Sequence, residues 1–189
     1  MKIRFWGTRG SIATPGPKTV RYGGNTSCVE LRAADGTLIV LDCGTGAYGL
    51  GKALTQSGEP VNGNLMIGHT HWDHIQGFPF FDPLFIERSN WTVYAPGGGD
   101  RRLQAALAGQ MAYEYSPINL DSLMAEIDYA DLTEGVFDVG SVRVTTQYLN
   151  HPALTLGFRF EVDGVTLVYA CDHEPHSLHP LDAPAGAEP

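Results

Sequence analysis

Apolar and polar residues alternate at the start of the chain, and 3–6 read as a first strand. Residues 8–24 lose that period and become rich in Gly, Pro and Thr, the composition of a loop. Two further strand-like runs, 26–32 and 37–41, flank Ala33-Ala34-Asp35-Gly36, whose Asp-Gly pair is a hairpin signal. The spacing across 48–57 fits a short helix stopped by Gly58 and Pro60. Residues 64–67 and 91–95 read as strands, and 100–109 as a helix with Asp100 as N-cap and Gly109 as its stop. The aromatic, irregular stretch 111–123 has the character of a lid. Four strand-like segments follow at 125–129, 141–149, 155–162 and 165–170, the last two joined by Asp163-Gly164. Residues 174–189 follow neither period and are rich in Pro, Ala and His, so a disordered tail is expected after one domain over 1–173. Hairpins mixed with helices predict a layered α/β domain.

Composition narrows the function classes. The 189 residues suit one domain with a sizeable core. Twelve Lys+Arg against 21 Asp+Glu give a net charge of −9, which disfavours a general nucleic-acid-binding surface. No apolar stretch approaches a bilayer span, and the start Met1-Lys2-Ile3-Arg4 lacks the apolar run of a signal peptide. Cys28, Cys43 and Cys171 are widely spaced, which argues against a disulfide framework and for a reducing cytoplasm. Cys28 and Cys43 read as buried small hydrophobes, and the Cys171 side chain is expected to point into the core, away from Asp172.

The histidines carry the chemistry. Of seven, three fall in His69-Thr70-His71-Trp72-Asp73-His74, directly after an apolar strand. Imidazoles are the commonest metal ligands and carboxylates add oxygen ligands. At a strand end, His69 and His71 would share one face because side chains alternate. If the chain turns into a helix there, Asp73 and His74 can face a second metal nearby. Four such groups in six residues are hard to explain by packing.

His-x-His-x-Asp-His after a strand resembles the metallo-β-lactamase superfamily. Leu41-Asp42-Cys43-Gly44-Thr45-Gly46, Asn150-His151-Pro152 and Asp172 at a strand end follow in the family's order. The resemblance implies an αββα four-layer sandwich with two divalent metal ions at the edge between its sheets. Zinc is the first expectation, with manganese or iron compatible with the same donors. It places His69, His71 and His151 on one metal, Asp73 and His74 on the other, and Asp172 between them. Asp42 is expected to orient a ligand. The implied activity is hydrolysis by a hydroxide bridging the metals, with Asp73 orienting the water.

The loop Gly7-Thr8-Arg9-Gly10-Ser11, with Gly23-Gly24-Asn25-Thr26-Ser27, is similar to the phosphodiesterase side of the superfamily. It marks Arg9, Ser11 and Asn25 as substrate-binding residues, and a small phosphodiester as substrate rather than tRNA. Tyr113, Tyr115 and residues 78–81 are candidate pocket walls, though aromatics mostly pack. The family supplies one more His to the second metal, and the sequence after Asp172 does not match that element. His173, His176 or His179 are possible substitutes, and His173 or Glu174 a general acid. The second half of the sandwich is therefore expected to be incomplete, leaving an open edge or apolar face that a homodimer would cover. Other readings are a thioester, lactone or lactam hydrolase, an iron oxidoreductase, and a metal-binding or interaction module with little turnover.

Overall fold

The computed structural model describes residues 1–97 and 102–175. Its first sheet has six strands in sequence order: β1 (Lys2–Gly7), β2 (Cys28–Arg32), β3 (Leu38–Leu41), β4 (Gly63–Met66), β5 (Asn90–Pro96) and β6 (Glu126–Leu132). Pairing is antiparallel from β1 to β3 and parallel from β3 to β6. Helices α1 (Gly46–Leu54), α2 (Trp72–Ile75) and α3 (Arg102–Gln110) lie in the parallel crossovers. A second, antiparallel sheet follows, ordered β10-β9-β8-β7, from β7 (Gly135–Val139), β8 (Val142–Tyr148), β9 (Leu156–Val162) and β10 (Val165–Tyr169).

The strand period explains the layers. β3 is Leu-Ile-Val-Leu and wholly buried, as a central strand covered on both faces must be. Leu38 and Val40 join Ala47, Leu50, Phe78, Leu103 and Leu107 in the core between helices and sheet. Ile39 and Leu41 join Val142, Val144, Phe158 and Phe160 in the core between the two sheets. Each fully buried side chain of this size contributes about 1.5–3 kcal/mol. The order is thus helices, sheet, sheet: an αββα sandwich whose second half, among the described residues, lacks its helical layer.

Several expectations change. The outward positions of the second sheet carry Arg143, Thr145, Arg159, Glu161 and Thr166, with Arg159 and Glu161 ion-paired. Val136 and Val168 are the exposed apolar side chains among those outward positions. Of the open edge or apolar face expected, the face is mostly polar instead, and an antiparallel sheet of this kind can face water unaided; its end strands are β10 and β7. β7 was not foreseen. Residues 174 and 175 are tied to Asn150: Glu174 N–H donates to its carbonyl at 2.7 Å, and its side-chain amide donates to the Glu174 and Pro175 carbonyls at 2.9 and 3.2 Å. The N-cap expected at Asp100, the rest of the expected tail, and His176 and His179 lie outside the described residues.

Candidate metal centre

The site forms where the parallel strands end. Asp42 directly follows β3, and Gly68 and His69 follow β4. This is the rim where open α/β sheets place their ligands. Because β4 ends at Met66, a loop and not strand alternation brings His69 and His71 together, with ring centres 4.5 Å apart. The chain then makes the single helical turn α2, which buries Asp73 and His74.

The second sheet supplies the rest. His151 lies in the β8–β9 loop and Asp172 three residues beyond β10. One donor atom from each of His69, His71, His151 and Asp172 falls within 4.8 Å of the others. Asp172 faces both halves of the set. Its Oδ2 is 3.7 Å from His69 Nε2 and 3.8 Å from His151 Nε2, while Oδ1 is 3.5 Å from His74 Nε2. Asp73 Oδ2 also lies 3.5 Å from His74 Nε2.

Nε2 of His69 and of His74 are buried without a hydrogen bond. Buried polar atoms are normally satisfied, so two orphaned nitrogens aimed at one carboxylate fit the donor set of a cation site. Burial is the largest influence on His69, and with the neighbouring His74 it lowers the imidazole to about 4. Its neutral, metal-binding form is then favoured. Burial also opposes charge on His74, but the hydrogen bond and charge of Asp42, with Asp73 and Asp172, outweigh it and raise that imidazole.

Asp42 is fully buried with φ of 57°, a left-handed conformation that Asp tolerates better than most residues. Its Oδ1 accepts the Gly68 N–H at 2.7 Å. Its Oδ2 lies 2.7 Å from His74 Nδ1 and 3.3 Å from Ser27 Oγ, and accepts the Tyr169 hydroxyl at 2.5 Å. Since a carboxylate only accepts, His74 is the donor through Nδ1 and turns Nε2 into the cluster.

The loop residues divide. Ser11, with φ of 67°, donates its backbone N–H to Asp73 Oδ2 at 2.7 Å. Arg9 instead donates Nε to the Ile12 carbonyl and Thr14 Oγ1, at 3.1 and 3.0 Å, bracing its own loop. Asn25 uses its side-chain oxygen on Thr45 Oγ1 at 3.4 Å, next to α1. Neither contact places Arg9 or Asn25 on the cluster. His173 Nδ1 accepts the Asn150 N–H at 3.2 Å.

Cys171 corrects the expectation of a core-facing thiol. Its Sγ is 4.0 Å from His69 Nδ1, behind the cluster, because strand alternation ends with β10 at Tyr169. Burial, then the Asp42 charge, pushes the thiol up to about 12, and its Sγ forms with His69 and His74 a second group of donor atoms within 4.8 Å of one another. Cys28 and Cys43 are fully buried, as expected. Glu174 was considered only as an acid, yet its Oε1 lies 3.4 Å from His151 Nδ1. Tyr169 had no motif to reveal it, and Ser27, though part of the Gly23–Ser27 run, was not read as a partner of Asp42.

A family model described as a beta-lactamase superfamily domain matches residues 37–183. No curated protein sequence matches the chain. Among solved structures it resembles the metallo-beta-lactamase fold protein YhfI from Bacillus subtilis, with TM-score 0.64 and 17% identity over 90% of this chain and 61% of that one. Human tRNase Z, short form, gives 0.62 and 20% over 89% and 68%. A diphosphatase of the PhnP family gives 0.56 and 16% over 84% and 61%. The chain spans between about three fifths and two thirds of the length of these structures. At such identities the likeness speaks for the fold, and that fold sets His and Asp side chains where both sheets meet. With most of its length under the family model, the chain belongs to the metallo-β-lactamase superfamily.

Proposed function

We propose that this chain is a metallo-hydrolase that holds two divalent cations, zinc first among them, and cleaves a small phosphodiester. The observation that carries the reading is the cluster itself, with two orphaned nitrogens and an Asp172 whose two oxygens face its two halves. His69, His71 and His151 would hold one ion, Asp73 and His74 the other, with Asp172 between. Cations bound there lower the pKa of water toward neutrality and offset charge developing on the attacked group.

The chain's own groups do the remaining work. The Ser11 N–H fixes Asp73 Oδ2, which orients the carboxylate toward the reacting proton. His173, whose Nδ1 accepts the Asn150 N–H, is the candidate general acid; it can give a proton to the leaving group only as the imidazolium, which has to release that contact.

A phosphodiester is favoured by the charge of the loop tied to Asp73. Arg9, Lys18 and Arg21 lie within 8–24, where there is no Asp or Glu, while all 21 acids of the chain lie outside it. A cationic rim on an acidic molecule selects a small anion and repels a long polyanion. The similar structures named for a tRNase and a diphosphatase support phosphate chemistry. Three free cysteines fit a reducing, cytoplasmic setting.

The test compares bis(p-nitrophenyl) phosphate with a carboxylic ester and a lactone, using zinc-loaded and manganese-loaded protein. Turnover of the diester, falling at least about 100-fold in Asp73→Ala, is expected. Turnover of the ester or lactone alone overturns the phosphodiester assignment. No turnover of any substrate with bound metal overturns the hydrolase.

A further inference from the structure

We infer that Tyr169 is a positioning residue for the second half of the metal set, holding His74 through Asp42; the inference rests on the metallo-hydrolase reading above. Tyr169 closes β10, opposite Phe158 of β9, and its ring packs in the core between the sheets. That packing needs no hydroxyl. The hydroxyl instead spans the sheets, 2.7 Å from Ser27 Oγ and 2.5 Å from Asp42 Oδ2.

Asp42 shows why this contact matters. A fully buried carboxylate must have each oxygen satisfied. Oδ1 has the Gly68 N–H, a backbone donor that cannot swing away. Oδ2 serves His74 Nδ1, and Tyr169 is the short second contact that pins it. Ser27 Oγ lies 3.3 Å from Oδ2, but its one hydrogen goes to the Tyr169 oxygen at 2.7 Å, since the phenol gives its own to Asp42. Without the phenol, Oδ2 keeps His74 and the distant Ser27, and the carboxylate can turn about the Gly68 bond. The imidazole would follow it, and Nε2 would leave its line to Asp73 and Asp172.

The same contact acts along the chain. Tyr169 lies three residues before Asp172. One hydroxyl therefore sets His74, carried by the first sheet, against the end of β10, from which Asp172 projects. Burial, with the Asp42 charge next, raises the phenol well above its ordinary value, so it remains a donor throughout the working pH range.

The test is Tyr169→Phe, which keeps the ring and deletes the oxygen. Zinc alone and manganese alone are titrated into metal-free protein by calorimetry. One binding event is expected to keep its affinity and the other to weaken about 10–100-fold. Excess metal should restore turnover, which a damaged fold would not allow. A second readout needs no metal: nitrogen-15 spectra of the histidine rings at alkaline pH. In the parent protein His74 is a single tautomer protonated at Nδ1, and in Tyr169→Phe it becomes a mixture. Ser27→Ala, which touches the same hydroxyl and leaves the core ring intact, should move both readouts the same way by less. It decides the matter if Tyr169→Phe does not fold. Parent-like affinities for both ions together with an unchanged His74 spectrum overturn the inference. A parent protein that binds no metal would overturn the hydrolase reading instead, and the tautomer of His74 would still decide the role of Tyr169.

Discussion

Gly68 stands where three parts of the site cross. Its N–H holds Asp42, its carbonyl accepts the Leu156 N–H at 2.9 Å, and a Cβ placed on it would lie 2.6 Å from Cys171 Sγ. Gly68→Ala should therefore cost about 1–3 kcal/mol of stability by overpacking. It should also weaken metal binding, since Cys171 must move and Asp172 is its neighbour. Adding Cys171→Ala removes the sulfur and should restore most of the loss. Urea unfolding of the two single variants and the double variant gives the coupling, and purely additive costs would sink the explanation. At this scale residue type alone can signal chemistry. Imidazoles and carboxylates two and three positions apart announce themselves, and the structure gathers His69, His71, Asp73, His74, His151 and Asp172. That signal is silent where the working atom belongs to the backbone or to an unremarkable side chain. Ser11 was expected to bind substrate, and the structure gives its N–H to Asp73. Tyr169 acts across 127 residues of sequence, a pairing no local pattern encodes.

Turns between strands carry a second set of carboxylates that join the sheets. Asp35, in the β2–β3 turn, accepts the Thr37 N–H at 2.9 Å and, from the β7–β8 turn, the Ser141 N–H at 3.2 Å. Asp163, in the β9–β10 turn, accepts the Ala34 N–H at 3.0 Å. The Thr37 contact first, and Ser141 with it, lowers the Asp35 carboxyl to about 2. A depressed carboxyl contributes stability above its unfolded pKa of about 4, and that stability drains away as pH falls through the folded value. The parent should therefore be more stable than Asp35→Asn above about pH 5, with the gap closing as pH approaches about 2. Thermal unfolding at stepped pH checks this, and a gap that stays constant would rule it out. The Asp-Gly signal identified this turn as a hairpin, but only the fold shows its carboxylate reaching the other sheet. Element limits were legible where a period persisted: 165–170 was expected and β10 spans Val165–Tyr169. β7 was missed because Gly135-Val136-Phe137-Asp138-Val139 is short, largely exposed and breaks alternation at Val136-Phe137.

Neither half of the molecule holds the candidate metal set alone. His69, His71, Asp73 and His74 follow β4 of the six-stranded sheet, and His151 and Asp172 flank strands of the four-stranded one. An ion bound across that seam cross-links the sheets, and the unfolded chain offers no such arrangement, so binding free energy becomes folding free energy. At free metal of about 100 times the dissociation constant the gain is about 2.7 kcal/mol. For a chain of this length each kcal/mol moves the midpoint by about 2–4 °C, so zinc should raise the melting temperature by about 5–11 °C and a chelator should reverse it. The two-sheet origin sharpens the expectation. His151→Ala leaves four ligands on one sheet and removes one of the two groups that reach over from the other. It should lose most of the metal-induced shift while its metal-free melting temperature changes little, because His151 sits in a loop outside both cores. Calorimetric scans of both proteins, with and without zinc, measure this directly. An undiminished shift in His151→Ala would mean that the ion is held by the first sheet alone, and the joint between the sheets would then rest on protein contacts such as Tyr169 to Asp42.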